Sequence, residues 1–145
     1  MEPTKFATVY KRAIFKITDY SFLKMVDDVK EEVLKNYLIS SIVDFQNSCD
    51  IDLTDYDLER EQFNNELTSE VIEILAVGIA FHWMEAQVLN NKLLRNKIYS
   101  TDYNTYSPAN LLEKANALMD SLRDEQLGMI REYSFRHSDY ANLKV

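Results

Sequence analysis

The chain predicts an all-α fold, a small helical bundle with three main helices at about 18–46, 68–96 and 107–133. Three observations carry this expectation. Only two glycines and two prolines punctuate 145 residues, too few for the tight turns of an all-β protein. The long stretches between them are rich in Leu, Ile, Ala, Glu, Lys and Asn, which favour helix. Within those stretches apolar residues recur three and four apart. The length suits one core, so residues 1–133 read as one helical domain and residues 134–145 as an extended C-terminal tail.

Residues 6–15 are apolar enough to pack, and a short helix is expected there. The first long helix opens with Thr18 as N-cap and Asp19 in its first turn. Its buried stripe runs through Phe22, Val26, Val29, Val33, Tyr37, Leu38, Ile42 and Phe45. After Cys49 the pattern breaks into an acidic, irregular connection. The second helix starts at Thr68 or Ser69, with Glu70 facing the positive end of the helix dipole. Residues 74–84 are apolar nearly all the way round, which marks the central helix of the bundle. Gly78 sits in that run at a cost of about 1 kcal/mol relative to alanine, which the close approach of a neighbouring helix explains.

A polar loop bearing Tyr99, Tyr103 and Tyr106 follows, and Ser107-Pro108 opens the third helix as N-cap and first helical residue. Leu111, Leu112, Ala115, Leu118, Met119, Leu122, Leu127 and Ile130 trace its apolar face up to Tyr133. Beyond Tyr133 no helical stripe continues, which is the ground for the tail.

The formal net charge of −8 disfavours phosphate backbones, so sequence-specific nucleic-acid binding is not expected. The single cysteine, Cys49, cannot form an intramolecular disulfide, and a reduced setting is the simpler expectation. The first residues lack the basic-then-apolar order of a signal peptide. No uninterrupted apolar run reaches the roughly 18 residues that span a bilayer, so a soluble protein with no membrane association is expected.

Catalytic signatures are missing. Gly78 and Gly128 are isolated and lie within predicted helices, so no phosphate-cradling glycine loop can be built. His82 and Glu85 share a helix face but have no second pair, and His82 reads as a hydrogen-bonded helix histidine rather than a metal ligand. No acid, base or nucleophile is positioned by a motif, so an enzyme is not expected and no cofactor is implied.

The acidic stretch 50–61 places oxygen-bearing side chains at its first, third, fifth and twelfth positions, as a calcium loop does. Asp50, Asp52 and Glu61 are therefore weak metal candidates. Against them, Asp55 stands where such a loop needs glycine, and Asp57 where an apolar residue is usual. A solvated acidic connection is the favoured reading. The alternative is a free-standing acidic helical protein that binds calcium or a basic protein partner through residues 50–61. Aromatics also concentrate near the C-terminus, where Tyr133, Phe135 and Tyr140, with Arg136, read as partner-binding residues.

Three segments together resemble the head-to-tail connector (adaptor, neck) proteins of tailed bacteriophages. They are Phe63-Asn64-Asn65-Glu66-Leu67-Thr68 running into Glu70-Val71-Ile72-Glu73-Ile74-Leu75-Ala76; Trp83 through Val88-Leu89-Asn90 to Leu93-Leu94; and Tyr106-Ser107-Pro108-Ala109-Asn110-Leu111-Leu112 ending at Tyr133-Ser134-Phe135. They cover about half the chain, and none is a catalytic signature. The resemblance implies a structural virion protein, made in the host cytoplasm, that forms a homo-oligomeric ring, commonly of twelve copies, beneath the portal protein. Such a ring leaves a channel for DNA during packaging and ejection and meets the next neck or tail-completion protein. By matching position, residues 133–145 would be the arm docked on the portal. The acidic loop with Asp55, Asp57 and Glu59 would be available to the lumen, where carboxylates repel DNA phosphates, or to the next neck protein.

Overall fold

One helix forms the axis on which the others lie. The computed structural model describes residues 2–18, 31–89 and 108–137, and contains among them α1 (Phe6–Thr18), α2 (Glu31–Gln46), β1 (Tyr56–Asp57), β2 (Gln62–Phe63), α3 (Ser69–Leu89) and α4 (Pro108–His137). The fold is mainly α, with four described helices, of which α1 is the short helix expected at residues 6–15, and a small hairpin within the acidic connection.

α3 begins where Thr68 Oγ1 accepts the Val71 N–H at 3.2 Å, an N-cap that leaves Glu70 in the first turn. Every residue from Ile74 to Phe81 is buried, so α3 has no solvent face along its middle. By length and composition α3 could cross a bilayer, yet 67% of its apolar window is enclosed by the rest of the chain. Its first half packs with Phe6, Val9 and Tyr10 of α1, Leu34, Leu38 and Phe45 of α2, and Ile130 and Tyr133 of α4. The second half, from Val77 to Met84, packs with Ile17 of α1 and Ala115 and Leu122 of α4.

Close approach is possible at Gly78 because no side chain intervenes. A Cβ there would overlap Ser41 Oγ and lie 2.8 Å from both Ser41 Cβ and Gln126 Nε2. Ser41 is wholly buried and donates to the Leu75 carbonyl at 3.0 Å, which settles its hydroxyl against α3. The expected close packing at Gly78 is thus present, with Ser41 of α2 and Gln126 of α4 both against that position.

Several boundaries differ from the sequence reading, each for a packing reason. Thr18 lies within α1 and is not a cap ahead of a helix, because Phe6, Val9, Tyr10, Ala13 and Ile17 keep one buried stripe running almost to it. Asp19, Phe22, Val26 and Val29 lie outside the described residues. In α2 the core positions are Leu34, Leu38, Ile42 and Phe45; Val33 is exposed, one step off the stripe. The second helix is described to Leu89, and residues 90–107, with Tyr99, Tyr103, Tyr106 and Ser107, fall outside the described residues. α4 does not end at Tyr133. Residues 134–137 are helical, because the last turn is tied to α3 and to the loop after α2. Residues 138–145 of the expected tail lie outside the described residues.

Replacing Gly78 by alanine gains about 1 kcal/mol of helix propensity but forces Ser41 Cβ, fixed to its backbone, out of contact distance. Overpacking of this kind costs about 1–3 kcal/mol. The Gly78→Ala chain is expected to unfold at lower urea than the parent, and an unchanged or higher midpoint would refute the close-packing account.

Candidate functional site

The last turn of α4 is clamped on one side and open on the other. Tyr133 is buried, sets its ring edge-on to Phe45 at 5.1 Å, and donates its hydroxyl to Asp50 Oδ1. The Cys49 thiol reaches the same phenol oxygen at 3.7 Å. One turn on, the His137 ring stacks on Tyr133 at 3.9 Å and its Nδ1 lies 3.2 Å from Asp50 Oδ2. Arg136 holds both carboxylate oxygens of Glu70, and His137 Nε2 is 3.7 Å from Glu70 Oε1. Basic groups at the C-terminus of α4 thereby meet an acid at the N-terminus of α3, which suits both helix dipoles.

These contacts set the local charge states. The Tyr133 hydroxyl, with His137 beside it, holds the Asp50 carboxyl below the usual carboxylate range. Burial, reinforced by the bond to Asp50, pushes the Tyr133 phenol well above the ordinary tyrosine range, so it remains a donor. Burial also raises the Cys49 thiol, which favours its protonated form.

On the far side of the same turn Phe135 is 63% exposed. Arg131, Glu132 and Arg136 surround it and line an open depression. The four residues read as partner-binding therefore divide. Tyr133 is enclosed in the core, Arg136 is committed to Glu70, Phe135 faces outward, and Tyr140 lies outside the described residues.

A second polar cluster ties α2, α3 and α4 together beside Gly78. Asp44 Oδ2 accepts from His82 Nε2 at 2.7 Å, Gln126 Nε2 at 3.2 Å and Arg123 at 3.3 Å. Arg123 also donates to Gln126 Oε1 at 3.0 Å and lies over the Phe81 ring, 4.7 Å from its centroid. Glu85 is 3.5 Å from the other His82 nitrogen. His82 is the hydrogen-bonded helix histidine its position suggested. Gln126 was missed: it occupies a wholly buried place on the α4 stripe, where Leu127 had been expected and is instead exposed. No local signal marks a glutamine as core, because its partner is 82 residues away in sequence.

The acidic connection is not irregular. β1 and β2 pair antiparallel, with Tyr56 opposite Phe63 and Asp57 opposite Gln62. The N-terminal segment adds to this hairpin through a Lys5–Gln62 bridge, Phe6 N–H to the Glu61 carbonyl at 2.9 Å, and Phe63 N–H to the Thr4 carbonyl at 2.7 Å. Phe6, Tyr56 and Phe63 form an edge-to-face aromatic group beneath it. Gln46, at the end of α2, holds the preceding loop by accepting from Leu53 N–H and donating to the Ile51 carbonyl.

The carboxylates of this region are largely engaged within it. Asp52 accepts from Thr54, Asp55 accepts from Asn64 Nδ2 at 2.8 Å, and Asp57 accepts the N–H groups of Glu59 and Arg60. Glu61 adopts a left-handed φ of 52° and pairs with Lys35 at 2.7 Å. The three weak metal candidates thus face different partners, Asp50 toward Tyr133 and His137, Asp52 toward Thr54, and Glu61 toward Lys35. Among the described residues no group of three His, Cys, Asp or Glu side chains converges on a point where an ion could sit. Of the three expected lumen residues only Glu59 is not drawn into the hairpin's own hydrogen bonding by its carboxylate.

Comparison with known protein families, with characterised proteins and with solved structures returns no match to this chain.

Two outcomes test these clusters. Asp44→Ala strands the buried Gln126 amide and should cost about 1–3 kcal/mol in urea unfolding, whereas adding Gln126→Leu should recover part of the loss; equal costs for the single and double variants would contradict this. Tyr133→Phe removes the main cause of the lowered Asp50 pKa. A depressed carboxylate contributes stability above its unfolded value and loses it as pH falls through the folded one. The variant should therefore lie about 1 kcal/mol below the parent at neutral pH, with the gap beginning to narrow as pH falls below about 4 and closing only below the depressed pKa of the parent's Asp50, where both chains carry it protonated. A gap independent of pH would refute the assignment.

Proposed function

We propose that this chain is a structural subunit of the neck of a tailed bacteriophage, a head-to-tail connector (adaptor) that forms a ring beneath the portal. In this reading the ring, of about twelve copies by the resemblance set out above, joins capsid to tail. It leaves a channel for DNA packaging and ejection and touches the portal protein above and the next neck protein below. The role is mechanical and uses no cofactor. The protein is made in the host cytoplasm and resides in the virion.

The observation that carries the reading is the state of the α4 terminus. Tyr133, Arg136 and His137 fix the last turn to α3 and to the loop after α2, while Phe135 projects from the opposite side of that turn. A docking element presented on an immobilised helix end loses little conformational freedom on binding. An exposed aromatic flanked by Arg131 and Arg136 has the composition of an interface anchor. The segments that carry the resemblance also include β2, most of α3 and much of α4, which form the framework holding that terminus.

The clamp dictates how the docking arm should be tested. Cutting at Tyr133 would remove Arg136 and His137 and loosen the bundle, so the informative truncation ends at His137. Full-length protein should co-sediment with the portal protein encoded in the same genome. The truncation should keep its unfolding midpoint and lose portal binding, and Phe135→Ala in the full chain should weaken it. Failure of the full-length chain to bind would sink the connector reading.

A further inference from the structure

We infer that the outward face of α1 receives the tip of the acidic hairpin from a second copy of this chain. The inference rests on the reading of the chain as a ring subunit, and its test separates the two. Phe15 stands 71% exposed on α1, and Lys11, Arg12, Lys16 and Glu73 line an open depression around it. Arg12 and Lys16 lean onto Glu73 at 3.2 and 2.5 Å, while Lys11 has no ion pair among the described residues. Residues 2–18 carry four bases against one acid in a chain of net charge −8.

The hairpin offers the complement. Residues 55–66 carry five acids against Arg60, and at the tip Leu58 is half-exposed between Asp57 and Glu59. The Asp57 carboxylate accepts the Glu59 and Arg60 N–H groups and so orders this tip before any contact forms. An apolar tip edged by acids matches an aromatic patch edged by bases. Leu58 also suits a protein contact better than a channel wall passing DNA, which gives Glu59 a different destination from the lumen.

The two surfaces cannot meet within one molecule. The hairpin is tied to the start of α1 through Phe6 N–H and Lys5. Phe15 lies nine residues on, about 13 Å along the helix, on the side away from Phe6, Val9, Ala13 and Ile17. They meet only between copies, as two different surfaces, and such a heterologous contact can close into a ring.

The test mixes nitrogen-15-labelled and unlabelled full-length chain, alone and with portal protein, and applies a zero-length carbodiimide that joins lysine to carboxylate. Mixed-isotope peptide pairs linking Lys11 to Glu59 are expected. Lys11→Glu or Glu59→Lys should each weaken self-assembly by about tenfold or more, and the two together in one chain should restore it. Absence of mixed-isotope pairs in both conditions, or single variants that assemble like the parent, overturns the contact. Pairs without portal binding keep the contact and remove the connector reading; portal binding without pairs does the reverse.

Discussion

The enclosure of α3 is the constraint on which the rest of the structure depends. A helix without a polar face must be covered on every side, and here α1, α2 and α4 supply the cover. Cover that close is possible only where side chains are small. Gly78 lets Ser41 and Gln126 approach the same point on α3, and an ordinary Cβ there would push both side chains away. The polar groups brought in by this approach are then satisfied locally, Ser41 by a carbonyl of α3 and Gln126 by Asp44.

Around this apolar axis the charged residues act as fasteners at its rim. Asp44 joins three helices through one carboxylate oxygen. Asp50 and Glu70 hold the end of α4, and Glu73 receives Arg12 and Lys16 from α1. Exposed pairs such as Arg12–Glu73 contribute little each, about 0.2–1 kcal/mol. The half-buried ones matter more for geometry, because each fixes one helix against another at a single register.

That division of labour shapes what the surface can do. Tyr133 and several carboxylates, among them Asp44 and Asp50, are engaged by partners within the fold. Among the described residues the exposed large apolar side chains include Phe15 on α1, Val43 on α2, Leu58 on the hairpin, Leu89 on α3 and Phe135 on α4. The segments that carry Phe15, Leu58 and Phe135 are each tied to the rest of the fold by polar contacts. The proposed ring would call on such surfaces, rigid enough to repeat one geometry from copy to copy.

Much of the framework was legible in the sequence because it depends on local pattern. The all-round apolar run of residues 74–84 identified the central helix, Gly78 within it signalled a close neighbour, and Thr68 marked the start of α3. The sequence by itself determined the mainly helical class, the central helix and the acidity of the connection, since spacing and composition are read one residue at a time. Only the tertiary structure decided that the connection folds into a hairpin zipped to the N-terminal segment, that Gln126 is core, and that residues 134–137 continue α4. Each of those outcomes hangs on a partner far along the chain: Gln62 on Lys5, Gln126 on Asp44, Arg136 on Glu70, and His137 on Asp50. Hydrogen bonds and ion pairs of that range leave no periodic trace in the sequence, because the chain must already be folded for the two groups to meet.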